Sequence, residues 1–188
     1  SGERPDQGVL LIGHSTGGLV ARALAAHRPN SVAAVVTIGS PHRGTPIVDL
    51  ALRAGIDRPI RKKAMDLAGY KVDQKAKAFA SLSTTAAPEF AKANPVPPHI
   101  RCYYADCRVS RREMSLPLLM LNTFVRQTRL SEPSDGLVPC ESQIFGEKLE
   151  DYRLDHFAEQ GAFFYATRAQ RQAARAEFAR LFRDSFDR

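Results

Sequence analysis

Val9-Leu10-Leu11-Ile12-Gly13-His14-Ser15-Thr16-Gly17-Gly18 joins two signals in one short stretch, an unbroken apolar run and then a serine framed by glycines. The apolar run, ended by Gly13, suits a parallel strand buried on both faces. Gly17 to Arg28 follows at once, rich in alanine and leucine and stopped by Pro29, and this predicts a helix. Ser31 to Ile38 is a second β-branched run (Val32, Val35, Val36, Thr37, Ile38), closed by Gly39. Strand, helix and strand within about thirty residues make the βαβ unit of a parallel sheet. The predicted class is therefore α/β, a mostly parallel sheet flanked by helices.

Beyond this unit, residues Pro46 to Asn94 read as mostly helical, with breaks near Gly55, Gly69 and Ser83. His99 to Ala105 is a third strand candidate, and Asp135-Gly136 is a turn signal. Arg168 to Phe186 is a closing amphipathic helix with Ala174, Phe178, Leu181 and Phe182 on one stripe. Two segments, 56–68 and the apolar 115–130, are candidate lids or pocket walls, weighed against ordinary core helices. No linker separates these pieces, so residues 1–188 are read as a single domain.

A length of 188 residues with 44% apolar content suits one packed domain. The net charge of +7 raises the question of a polyanion partner. Its basic residues fall in small groups (Arg61-Lys62-Lys63; Arg108 with Arg111-Arg112; Arg168, Arg171, Arg175) that do not interleave with aromatics, so no nucleic-acid partner is expected. A weak attraction to anionic lipid surfaces fits the charge. No apolar leader precedes Val9 and no run reaches a membrane-spanning length. Three cysteines, Cys102, Cys107 and Cys140, show no CxxC pairing. Zinc is not expected, and buried thiols are favoured over one disulfide plus a free thiol.

Gly13-His14-Ser15-Thr16-Gly17 fits G-x-S-x-G, a pattern common by chance whose force comes from lying between a strand and a helix. That context is a nucleophile elbow. So tight a turn strains the serine backbone, and glycines at 13 and 17 are expected to relieve crowding on either side. The turn would raise Ser15 Oγ above the sheet, with the backbone amide of Thr16 placed to receive an oxyanion. A phosphate-binding glycine turn is the rival reading, but G-x-G-x-x-G and the Walker lysine are absent.

A serine hydroxyl needs a base, usually a histidine steadied by a carboxylate. Of five histidines, His14 adjoins the serine and should point away from Oγ; His27 ends a helix; His99 starts a strand. His42, after the second strand, could approach as a supporting group. His156 comes last, giving the order serine, aspartate, histidine. It is the predicted base. For the acid, Asp106, at the end of the third strand, and Asp135, in Pro133-Ser134-Asp135-Gly136-Leu137, stand about even on the residues alone. Either could instead be a turn aspartate bonding its own backbone.

Three stretches, VLLIGHSTGG (9–18), VTIGSPHRGT (36–45) and SDGLV…YRLDH (134–138 with 152–156), resemble the bacterial true lipases of the Pseudomonas and Burkholderia type, in the α/β-hydrolase superfamily. The resemblance implies an α/β-hydrolase fold and a triad of Ser15, Asp135 and His156, and it favours Asp135 over Asp106. It implies ester or lipid substrates, attack by Ser15, and hydrolysis of an acyl-enzyme by water. The family's calcium uses an aspartate two positions after the histidine, where this chain has Ala158, so neither a metal nor any other cofactor is expected. Cys140 roughly matches one cysteine of the family's disulfide, whereas Cys102 and Cys107 do not match its partner. The family also has strands, and a His-Gly loop donating a second oxyanion amide, ahead of the elbow strand. The chain is therefore expected to be a C-terminal portion whose partner is the N-terminal part of the same protein.

The same triad would serve an acyltransferase, thioesterase, phospholipase or polyester depolymerase, because the pocket selects the leaving group and the acceptor. A non-catalytic interaction module derived from a hydrolase half-fold is the alternative from another class.

Overall fold

The computed structural model describes residues 8–53, 79–124 and 133–187, with the side chains of 121–124 excepted. Its centre is a parallel sheet of β1 (Val9–His14), β2 (Val32–Ile38), β3 (Arg101–Cys107) and β4 (Glu147–Tyr152), in that spatial order. The helices are α1 (Thr16–His27), α2 (Pro46–Arg53), α3 (Ala87–Ala93), α4 (Leu116–Phe124), the single turn α5 (Cys140–Gln143) and α6 (Arg168–Phe186). Short 3₁₀ turns occupy Pro29–Ser31 and Ala158–Gln160.

Alternation along the strands sorts the core into two layers. Val36 and Ile38 of β2 and Tyr103 and Cys107 of β3 face α6, where they meet Ala174 and Leu181. Val35 and Cys102 face the other way, onto Ala21 and Ala25 of α1. The alanines of α1 let that helix lie close to the sheet. Helix α6 begins with a complete capping box: Thr167 accepts from the Gln170 amide, and the Gln170 side chain accepts from the Thr167 amide.

Several expectations need adjusting. β1 was expected to be buried on both faces; it lies at one edge of the sheet, and Val9 and Ile12 are exposed. It pairs with β2 alone among the described residues, so one side lacks the cover that a continuous apolar run implies. Phe182 was expected on the buried stripe of α6 but is exposed, in a ladder of rings with Phe178 and Phe186. The lid candidate 56–68 lies outside the described residues, as does much of 115–130. In its described part, Leu118 is fully buried whereas Leu116 and Met120 are exposed. All three cysteines are free thiols; Cys107 is buried, and Cys102 and Cys140 are half-buried.

Crowding at the elbow falls on Gly13, as expected, and on Gly18 in place of Gly17. A Cβ on Gly13 would lie 2.5 Å from the Gly17 carbonyl oxygen and 2.6 Å from Gly18 Cα. One on Gly18 would lie 2.0 Å from Ser40 Oγ, whereas one on Gly17 would meet nothing within 4 Å. Gly13→Ala should therefore destabilise the fold by about 2–4 kcal/mol, because backbone rather than a movable side chain blocks the methyl. Gly17→Ala should change stability by less than about 1 kcal/mol. Urea unfolding midpoints of the two variants test this contrast.

Candidate active site

Ser15 occupies the hinge between β1 and α1. Its φ of 54° and ψ of −125° make it a non-glycine residue in the positive-φ region among the described residues. Such strain persists only where neighbours hold it. Here the Ser15 amide donates to Ile38 O at 2.9 Å, tying the hinge to the end of β2, and its carbonyl accepts from Gly18 N at 3.1 Å. Thr16 begins α1, so its N–H is among the first-turn donors that have no acceptor within the helix.

His156 sits in a turn after β4. Asp155 shapes that turn: its Oδ1 accepts from the amides of Phe157 (3.1 Å) and Ala158 (3.0 Å), and its Oδ2 from Ser115 N (2.7 Å). The His156 amide donates to Asp135 O at 2.9 Å. From this scaffold the imidazole spans the gap between the other two residues. Nε2 lies 2.9 Å from Ser15 Oγ, and Nδ1 lies 2.9 Å from Asp135 Oδ2. Asp135 is fully buried and His156 nearly so. With Nδ1–H donating to Asp135, the other ring nitrogen is left as an acceptor facing the hydroxyl.

Asp135 is also the turn aspartate of the rival reading. Its Oδ1 accepts from Leu137 N and Val138 N, both at 2.7 Å, and Gly136 takes a φ of 95° to complete the turn. One oxygen fastens the loop and the other faces the ring. Asp106, near the C-terminal end of β3, has different company: Arg108 lies 2.7 Å away and Lys148 3.8 Å away.

Other residues support the arrangement without having been visible in the sequence. The buried Gln143 side chain accepts from Cys107 N at 2.9 Å and donates to Cys107 O at 2.9 Å and Val138 O at 3.1 Å, clamping the Asp135 loop to the end of β3. Thr45 Oγ1 donates to Leu137 O at 2.5 Å. His14 turns away from Ser15 Oγ, as expected, and lies against the His156 ring with centroids 4.7 Å apart. Its Nε2 lies 3.1 Å from both His156 O and Glu159 Oε2. Burial, followed by the neighbouring His156, pushes the pKa of His14 down to about 4, so it is neutral at pH 7. His14, His156 and Glu159 bring ligand-type atoms within 4.8 Å of one another, but both His156 nitrogens are engaged with Ser15 and Asp135. The cluster is a hydrogen-bond network.

His42, expected near the site as a supporting group, instead stacks on Phe145 at 4.4 Å on the α1 side of the sheet. Both its ring nitrogens are buried without a partner among the described residues, and burial, with Arg22 nearby, lowers its pKa to about 3. The unfolded chain takes up this proton below about pH 6.5, and the folded chain does so only near pH 3. Stability should therefore fall as pH falls through that window, by up to about 1.4 kcal/mol per unit from this residue. Replacement by the uncharged His42→Phe should flatten the acid slope of the denaturation midpoint.

A family model described as a PGAP1-like alpha/beta domain matches residues 1–73. A triacylglycerol lipase of Pseudarthrobacter phenanthrenivorans is 58% identical over 41 residues, which are 22% of this chain and 13% of that lipase. Among solved structures, the Staphylococcus hyicus lipase superposes with a TM-score of 0.71 at 14% identity, over 98% of this chain and 70% of that one. The chain has the α/β-hydrolase fold. The Bacillus licheniformis lipase BlEst2, in its mature form, shows the same hydrolase fold, with a TM-score of 0.61 and 20% identity over 94% of this chain. The chain described here spans 66% of the BlEst2 chain, short of its full length. Within this fold, Ser15, Asp135 and His156 lie together at the C-terminal edge of the sheet, whereas Asp106 and His42 serve other contacts.

Proposed function

We propose that this α/β-hydrolase is a serine carboxylic ester hydrolase, a lipase or esterase, working through an acyl-enzyme on Ser15. The observation that carries the reading is the unbroken line Ser15 Oγ–His156 Nε2, His156 Nδ1–Asp135 Oδ2, each link 2.9 Å. Ser15 Oγ attacks the ester carbonyl carbon while its proton passes to His156 Nε2. The carbonyl oxygen becomes an oxyanion, which the Thr16 amide receives at the N-terminus of α1. As the tetrahedral intermediate collapses, the bond to the alcohol oxygen breaks and His156 returns the proton to that alcohol. Water, deprotonated by the same imidazole, then releases the acid and restores Ser15. Asp135 stays ionised throughout, fixing the ring and stabilising the imidazolium.

Apolar ester substrates are favoured by an apolar groove of about 380 Å³ that starts at Thr16 and runs along Leu19, Val20 and Leu24 of α1 to Phe90 of α3. A fluorophosphonate probe applied to the full-length protein should form an adduct on Ser15, mapped by peptide mass spectrometry. Failure to label the active-folded protein would favour a non-catalytic module. A chain-length series of nitrophenyl esters, with and without emulsified triacylglycerol, then separates lipase from esterase.

A further inference from the structure

Glu159 is a buried titratable group, beside the triad, to which the proposed reaction gives no task. It follows His156 by one 3₁₀ turn, its amide bonded to Asp155 O at 3.1 Å, and its side chain is fully shut off from solvent. Oε2 lies 3.1 Å from His14 Nε2 and 3.6 Å from His156 Nδ1, and Oε1 is buried with no N–H or O–H donor beside it among the described residues. Gly39 makes room for this convergence. A Cβ at that position, already strained at φ 52°, would sit 1.9 Å from Glu159 Oε2 and 3.0 Å from Asp135 Oδ2. The two carboxyl groups thus border the same glycine-sized space, directly behind the imidazole.

We propose that Glu159 is a positioning residue that retains its proton at neutral pH and donates it to Asp135, so that His156 faces one negative charge rather than two. The inference rests on the ester-hydrolase reading, in which His156 is the base. Several groups face Glu159: Asp135 from its loop, Asp155 and His156 from the turn, His14 from β1 and the Cys107 thiol from β3. None is a permanent cation. Two adjacent carboxylates in such a dry space cannot both be ionised without a large cost, so one keeps a proton. Asp135 has the better-solvated anion, with two backbone amides on Oδ1 and the imidazole N–H on Oδ2. Glu159 has no backbone donor on its carboxyl among the described hydrogen bonds, so the proton resides there. Burial, then the charge of Asp135, raises its pKa well above the usual carboxylate range. An ionised Glu159 would hold a second anion against the ring, raise its basicity, and leave more of the enzyme with an already protonated base near neutrality.

Two readouts test this in the full-length protein. Infrared spectroscopy with carbon-13-labelled glutamate should show, at pH 7, the carbonyl band of a protonated carboxyl that is missing from Glu159→Gln. Because this band needs no turnover, it should persist in Ser15→Ala, and it reports on the proton even if the hydrolase reading fails. In ester hydrolysis, Glu159→Ala should lower kcat by at least about 30-fold. Glu159→Gln, which keeps a neutral donor, should rescue it to within about fivefold, with the acid limb of the pH profile moved by less than about 0.3 unit. Absence of the labelled band at pH 7 would overturn the proposal. So would a Glu159→Gln enzyme as impaired as Glu159→Ala with its acid limb about one unit lower, because that is the signature of a lost anion.

Discussion

Ser15→Ala should lower the rate of ester hydrolysis by about 10⁴–10⁶-fold while leaving the fold intact. The hydroxyl is the atom that forms the covalent bond, and no other residue of the described site offers a nucleophile to His156 Nε2 at 2.9 Å. Alanine fits the positive-φ hinge no worse than serine does, since both carry a Cβ, so unfolding midpoints should agree within about 0.5 kcal/mol. The check is a pair of measurements on the purified full-length protein: hydrolysis of a short nitrophenyl ester, and urea unfolding. Undiminished turnover would remove Ser15 from the mechanism.

Asp135→Asn should cost about 10⁴-fold in kcat, with a much smaller effect on KM. The substitution preserves shape and leaves an oxygen to accept from the amides of Leu137 and Val138, which keeps the loop closed. In that orientation the amide NH₂ faces His156 Nδ1. The ring must then take its proton on Nε2, the nitrogen that should accept from Ser15. Retained folding with lost turnover therefore separates the role of Oδ2 from that of Oδ1. Asp106→Asn, at a carboxylate paired with Arg108, should leave turnover within about threefold. If Asp106→Asn were the more damaging change, the assignment of the acid would be reversed.

The strand–helix–strand unit at the start of the chain was legible because burial of β2 and the alanine-rich face of α1 impose their periods on the sequence. Helix α6 was legible to its termini, because a long amphipathic stretch is a strong local signal. β4 was not read at all. Glu147-Lys148-Leu149-Glu150-Asp151-Tyr152 buries only Leu149 and Tyr152, so its charged exposed positions conceal the strand. The choice between Asp135 and Asp106 was open on the residues alone for a related reason. Both follow strand or turn signals, and only the path of the chain decides which carboxylate meets the ring. Gln143 gave no sign of its clamping role, since a buried amide bonding to distant backbone leaves no periodic trace. His42 misled because its place after β2 suggested proximity, while its side chain turns toward Phe145.

The hydroxyl and the imidazole that meet at Ser15 and His156 are separated by 141 positions in sequence, near opposite ends of the chain. Contacts of such long range form late, after the intervening strands have found their neighbours, because loop closure must be completed before they yield any stabilisation. Chemical reactivity at the elbow therefore becomes a clock for maturation. During refolding, covalent capture of the serine should lag behind the recovery of helical circular dichroism; coincident recovery would mean that the elbow and the imidazole meet in the same step as the helices form.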